Sequence, residues 1–136
     1  MEFRLTDTPD PSVRDVIVAG LGAFNTAQVG PGDWRTLAVL IEDAGACVGG
    51  LWGKTSYGWL FTELLFVPTE LRGRGLGADI LGRAEAEARA RGCRGAWLDT
   101  FEFQARGFYE QLGYRVFGEL ADYPPGSSRF FLQKRL

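Results

Sequence analysis

The chain has 136 residues, a formal net charge of −2, 46% apolar and 24% charged side chains, which is the profile of one globular domain, 1–136, with a core of its own. It has no basic run to hold nucleic acid, no apolar segment approaching a membrane span and no charged-then-apolar leader pattern, so the expected setting is the cytoplasm. Histidine is absent, which excludes Ser-His-Asp and Cys-His catalysis and imidazole-bound zinc, and leaves carboxylate, tyrosine, lysine, cysteine or water to move protons.

Glu2 to Thr6 alternates around Phe3 and Leu5 and predicts a short strand, broken by Thr8-Pro9-Asp10-Pro11. Ser12 is the expected N-cap of an amphipathic helix over 12–24, with Val13, Val16, Ile17, Leu21 and Phe24 at helical intervals. Asn25 to Asp33 holds Gly30-Pro31-Gly32 and reads as a loop. Strands are predicted at Trp34 to Ile41, Ala46 to Trp52 and Trp59 to Val67, with short turns at Glu42 to Gly45 and Lys54 to Gly58. Such a meander implies antiparallel pairing. Gly49 and Gly50 inside the second of these strands suggest a bulge or a close neighbour.

A helix from about Gly75 to Ala90 follows, with Leu76, Ile80, Leu81, Ala84 and Ala88 on one face and Gly92 closing it. Arg94 to Phe101 is the next strand, and strand-turn-helix-strand demands a right-handed crossover and a parallel pair. A short helix over Phe103 to Leu112, a strand at Tyr114 to Leu120, a loop through Pro124-Pro125-Gly126 and a final strand at Arg129 to Gln133 complete the chain. Cys47 and Cys93 fit no metal or redox spacing and read as reduced thiols.

The most informative stretch is Val67 to Gly77. Pro68 ends the apolar run Leu64 to Val67, because it cannot donate to a ladder. Arg72-Gly73-Arg74-Gly75-Leu76-Gly77 then carries the chain into the helix. Free amides and the dipole at a helix start attract anions, glycines let a ligand approach the backbone, and Arg72 and Arg74 add full charges. This is a site for a di- or polyphosphate. A Walker loop is excluded, since its lysine is missing. Gly73, Gly75 and Ala78 satisfy the dinucleotide pattern Gly-x-Gly-x-x-Gly/Ala with Asp99 about 20 residues on. Against that reading, Pro68 to Arg72 intervene after the strand, and the chain lacks repeated strand-helix alternation.

Arg72, Gly75 and Gly77 also satisfy Arg-x-x-Gly-x-Gly, and here the chain resembles the GNAT superfamily of N-acetyltransferases. Phe108-Tyr109 followed by Gly113-Tyr114 is similar to that family's second motif, and the two motifs lie in the family's order between Leu64 and Tyr114. The resemblance implies an α/β fold: a mixed, mostly antiparallel sheet of six or seven strands, one splayed parallel pair, and flanking helices. It implies acetyl-CoA as co-substrate, no metal, and direct acetyl transfer to a primary amine of a small molecule or a protein. Expected cofactor contacts are Leu65, Phe66, Val67, Arg72, Gly73, Arg74, Gly75, Leu76, Gly77, Ala78 and Phe108. The pantetheine arm would pair with the backbone of Leu65 and Val67.

The same resemblance makes Tyr109 the expected general acid toward the sulfur. Glu63 is the expected general base, either directly or through water. On an alternating strand Glu63 would share a face with Leu65 and Val67, and burial there would suit it to take a proton. Asp99 and Glu102 are its rivals, and the three carboxylates together would suit a cationic acceptor. Glu102 stands where family members often carry a cofactor-binding asparagine, so that role is not carried over. Homodimers are frequent in the family, which points to one here. Two other readings stay open: a silent acyl-CoA-binding or sensing module, and an NAD-binding oxidoreductase fragment using Gly73, Gly75, Ala78 and Asp99.

Overall fold

The computed structural model describes all residues, 1–136, which fall into two units, Met1–Gly32 and Asp33–Leu136.

The first unit is built on helix α1, Pro11–Val29. Its N-cap is Asp10 rather than Ser12: the Asp10 carboxylate accepts from the Ser12 amide (2.9 Å) and hydroxyl (2.6 Å), and Pro11 supplies a preset first helical residue. Those bonds hold the Asp10 carboxyl below its ordinary range. The helix runs on to Val29, through the first five residues of the expected loop, and ends where Gly30 takes φ +85° and donates to Thr26 O. Glu2 to Thr6 forms no strand. Alternation prepares a segment for a sheet, but alternation alone does not make a ladder. No residue of α1 is buried.

The second unit is a six-stranded sheet in the order β1-β2-β3-β4-β6-β5. Strands β1 (Arg35–Asp43), β2 (Ala46–Ser56) and β3 (Trp59–Phe66) form the expected antiparallel meander. Its two hairpins place Ala44-Gly45 and Tyr57-Gly58 at positive φ, the primed geometry that matches strand twist. Helix α2 (Leu76–Ala90) carries the chain over to β4 (Gly95–Phe101), which pairs parallel with β3. It ends at Arg91, with Gly92 at φ +85° just beyond it. Helix α3 (Arg106–Gln111), β5 (Arg115–Ala121) and β6 (Ser128–Arg135) follow, with β6 antiparallel between β4 and β5. A single parallel pair rules out the doubly wound sheet that a dinucleotide domain requires.

One sheet face carries the core. Leu37, Leu51, Leu60, Leu98 and Leu132 meet Ile80, Leu81, Ala84 and Ala88, the apolar stripe of α2. Within this packing lies a buried charge. Glu85 of α2 accepts from the Tyr114 hydroxyl and from Lys134 of β6, both at 2.8 Å. The carboxylate pushes the Tyr114 phenol well above its ordinary range, desolvation being the larger cause.

Two bulges shape the meander. The β1–β2 register slips between Ile41 and Glu42, beside Gly49 and Gly50, where a Cβ at Gly49 would lie 2.6 Å from the Phe66 carbonyl oxygen. The β2–β3 register slips between Trp52 and Gly53, so that Glu63 has no partner of its own. A Cβ at Gly53 would run into the Phe61 carbonyl, so the close approach of β2 to β3 needs glycine there.

Candidate active site

The Glu63 bulge positions the site. An extra residue bends its strand and ends regular pairing. Accordingly β3 pairs with β4 only from Trp59 to Thr62, against Gly95 to Leu98. Beyond Thr62 the two strands part. Between Leu64–Val67 on one side and Asp99–Phe101 on the other opens a cleft of about 1130 Å³. Across this gap the two strands exchange no ladder pairs, which suits an extended, amide-containing ligand that adds itself like a strand.

At one end of the cleft stands the start of α2. Gly75 caps it at φ +76° with no side-chain hydrogen bond, so the first amides of the helix are open to an anion. Gly73 is at φ +79°, and a Cβ at either glycine would meet nothing within 4 Å; both leave room for a ligand against the backbone. Arg72 has a second task. Its Nε donates to the Val67 carbonyl at 2.8 Å, which ties the turn to the end of β3 and occupies the carbonyl expected to face the cofactor. Gly77 touches α3 directly: a Cβ there would lie 3.0 Å from the Phe108 ring. Phe108 therefore sets the spacing between the anion-binding turn and Tyr109.

Tyr109 is buried on α3 and lines the cleft. Its ring meets Phe108 edge-on at 5.2 Å and Tyr114 at 6.0 Å. Burial, and then the charge of nearby Asp99, push its phenol up to about 12, so it carries its proton throughout the neutral range. Thr62, at the point where the strands part, has a buried hydroxyl without a partner.

The carboxylates differ from expectation. The bulge breaks the alternation, so Glu63 does not share the inward face of Leu65 and Val67, which pack on the core. Glu63 is exposed and pairs with Lys54 at 3.6 Å. Asp99 lines the cleft, with one oxygen held by Arg129 Nε (3.0 Å) and Nη2 (2.6 Å). Glu102 lies outside it and accepts from Ser127 Oγ (3.2 Å) and the Ser128 amide (3.1 Å). No cluster of free acidic groups lines the acceptor side.

Of the sequence-predicted residues, Glu63, Leu65, Phe66, Val67, Arg72, Gly73, Gly75, Leu76, Gly77, Ala78, Phe108 and Tyr109 come together on this one cleft, while Arg74 does not line it. Sequence reasoning passed over Phe101, Phe103, Gln104 and Arg129, which also line it. Gln104 Oε1 accepts from the Phe101 amide (2.8 Å) and the Thr100 hydroxyl (3.3 Å), so it holds the loop that was expected to be the first turn of α3. The one available signal was Glu102, where this loop departs from the family pattern.

Residues 18–114 match the model of the acetyltransferase (GNAT) family. The chain is 41% identical over 136 residues to "Acetyltransferase Atu2258" of Agrobacterium fabrum, covering 99% of each. It is 44% identical over 95 residues to the blasticidin-S acetyltransferase of Streptomyces morookaense, covering 69% of this chain and 70% of that protein. The crystal structure of an acetyltransferase from Bacillus cereus superposes with a TM-score of 0.85 at 28% identity, over 98% of both chains. The family's pattern, the splayed parallel pair and the open helix start thus coincide in one chain, which belongs to the GNAT family of acetyltransferases.

Proposed function

We propose that the whole chain, 1–136, acts as one N-acetyltransferase domain that moves an acetyl group directly from acetyl-CoA to a primary amine of a small molecule or a protein. One observation carries this reading: the uncapped start of α2, the splay of β3 from β4 and the proton-bearing Tyr109 open onto one cleft. The diphosphate would lie on the first amides of α2 and beside the Arg72 guanidinium, with Arg74, outside the cleft, adding only longer-range positive charge. The pantetheine arm would run along Leu65 to Val67.

The amine must lose a proton before its nitrogen attacks the thioester carbonyl. Glu63, whose exposed pair with Lys54 is long at 3.6 Å and leaves it open to water, takes it through water; Asp99 and Glu102 are held by shorter bonds to Arg129, Ser127 and Ser128. As the carbon–sulfur bond breaks, the electron pair stays on sulfur and Tyr109 gives its proton to the thiolate. A relative that acts on blasticidin S favours a small-molecule acceptor. The reading includes a homodimer, the assembly frequent in the family that the chain resembles; sedimentation of a monomer would remove that part.

Calorimetric titration with acetyl-CoA, with NAD in parallel, tests the cofactor. Micromolar affinity, about −8 kcal/mol, with none for NAD is expected, followed by amine-dependent release of free thiol. CoA binding without turnover on any amine would leave an acyl-CoA-binding module instead.

A further inference from the structure

The three carboxylates expected on the acceptor side are already engaged. Glu63 faces Lys54, Asp99 faces Arg129, and Glu102 is held by Ser127 and Ser128. A neutralised pair offers an incoming cation little, so charge cannot be the main selector of the acceptor.

The cleft offers a flat aromatic surface in its place. Phe103 lies almost parallel to Phe101, with 5.3 Å between centroids and 4° between planes. Phe101 in turn stacks with Tyr123 at 5.6 Å and 14°, and the Arg129 guanidinium lies 5.4 Å from Phe101 and 5.2 Å from Tyr123. Phe101 covers one face of the Phe103 ring. The residue is nonetheless 66% exposed and lines the cleft, so the other face is free.

An exposed phenylalanine on a loose loop would mean nothing, but this loop is pinned on both sides of Phe103. The Glu102 amide donates to Ser128 O at 2.8 Å, the Gln104 amide donates to Phe101 O at 2.9 Å, and Gln104 Oε1 accepts from the Phe101 amide. The ring is therefore preorganised, and little entropy is lost when something stacks on it. Across the splay, Leu64 and Phe66 are also largely exposed.

We propose that Phe103 is the recognition platform for the acceptor, and that the acceptor amine is borne on a planar aromatic or heteroaromatic ring that stacks on it. This rests on the acetyl-transfer reading and narrows it to a substrate class. Aromatic stacking of this kind favours a flat ring over a puckered one by about fivefold in affinity.

The test uses the protein saturated with CoA and two matched probes, benzylamine and its saturated counterpart cyclohexylmethylamine, titrated by NMR shift perturbation. Benzylamine should bind about fivefold tighter. The difference should vanish in both Phe103→Ala and Phe103→Leu, the second of which keeps apolar bulk without a ring face. CoA affinity should be unchanged in both variants, and benzylamine affinity should change less than about twofold from low to high salt. Equal affinities, binding of neither probe to the CoA-loaded protein, a preference that survives both variants, or a steep salt dependence would each overturn the proposal. Failure of the parent protein to bind CoA would instead sink the acetyl-transfer reading, and this narrower one with it.

Discussion

Tyr109 and Gly75 test the site one atom group at a time. Phenylalanine fits the Tyr109 environment, since its neighbours there are the rings of Phe108 and Tyr114. Tyr109→Phe should therefore lower kcat by about a hundredfold, the scale of a lost general acid, while acetyl-CoA affinity stays within about twofold. Parallel losses in steady-state turnover and calorimetric affinity would assign Tyr109 to packing. Gly75→Glu combines three faults: a side chain where the anion should approach, a like charge, and a β-carbon at φ +76°. Acetyl-CoA affinity should fall by about a hundredfold or more, and an unchanged titration curve would remove the anion site from the start of α2.

At the scale of elements, the cleft depends on where pairing stops. Features written locally were readable. Gly49 and Gly50 announced a close approach, Pro68 announced the end of β3, and the stripe from Leu76 to Ala88 announced α2. What could not be read depends on partners distant in the chain. The bulge at Glu63 exists only against Trp52 and Gly53, and it turned an expected inward carboxylate outward. The Asp99–Arg129 pair requires the register of β4 against β6. The strand expected at Glu2 to Thr6 failed for the same reason, since alternation does not supply an edge to pair with. Glu85 is a further case: on sequence it is one more polar helix residue, yet it joins α2 to β6 and to Tyr114. Glu85→Ala would strand Lys134 and the Tyr114 hydroxyl and should cost about 3 kcal/mol, seen as a lower denaturant midpoint at unchanged slope. A loss below about 0.5 kcal/mol, the size of an exposed pair, would show that the network is not holding α2 on the sheet.

For the molecule as a whole, two buried tyrosines set how stability responds to alkali. Tyr109 is shifted up from the ordinary 10.0 to about 12, chiefly by desolvation, and Tyr114 is shifted in the same direction. Between those values the folded chain keeps a proton that the unfolded chain has released, so the unfolded state binds fewer protons and stability must fall as pH rises. The Tyr109 contribution is complete below pH 10 and is lost through about 12, at most on the order of 3 kcal/mol for a shift of this size. Denaturant titrations at stepped pH should show a steeper decline above 10 in the parent protein than in Tyr109→Phe, with the two curves separating only there. Curves that run parallel would mean that Tyr109 titrates as if exposed. The same proton links stability to catalysis. If Tyr109 is the acid, the pH–rate profile has no descending limb from this group until about 12, so a fall in rate between neutrality and 10 must come from elsewhere. A limb in that range that disappears in Tyr109→Phe would contradict the burial that defines the site.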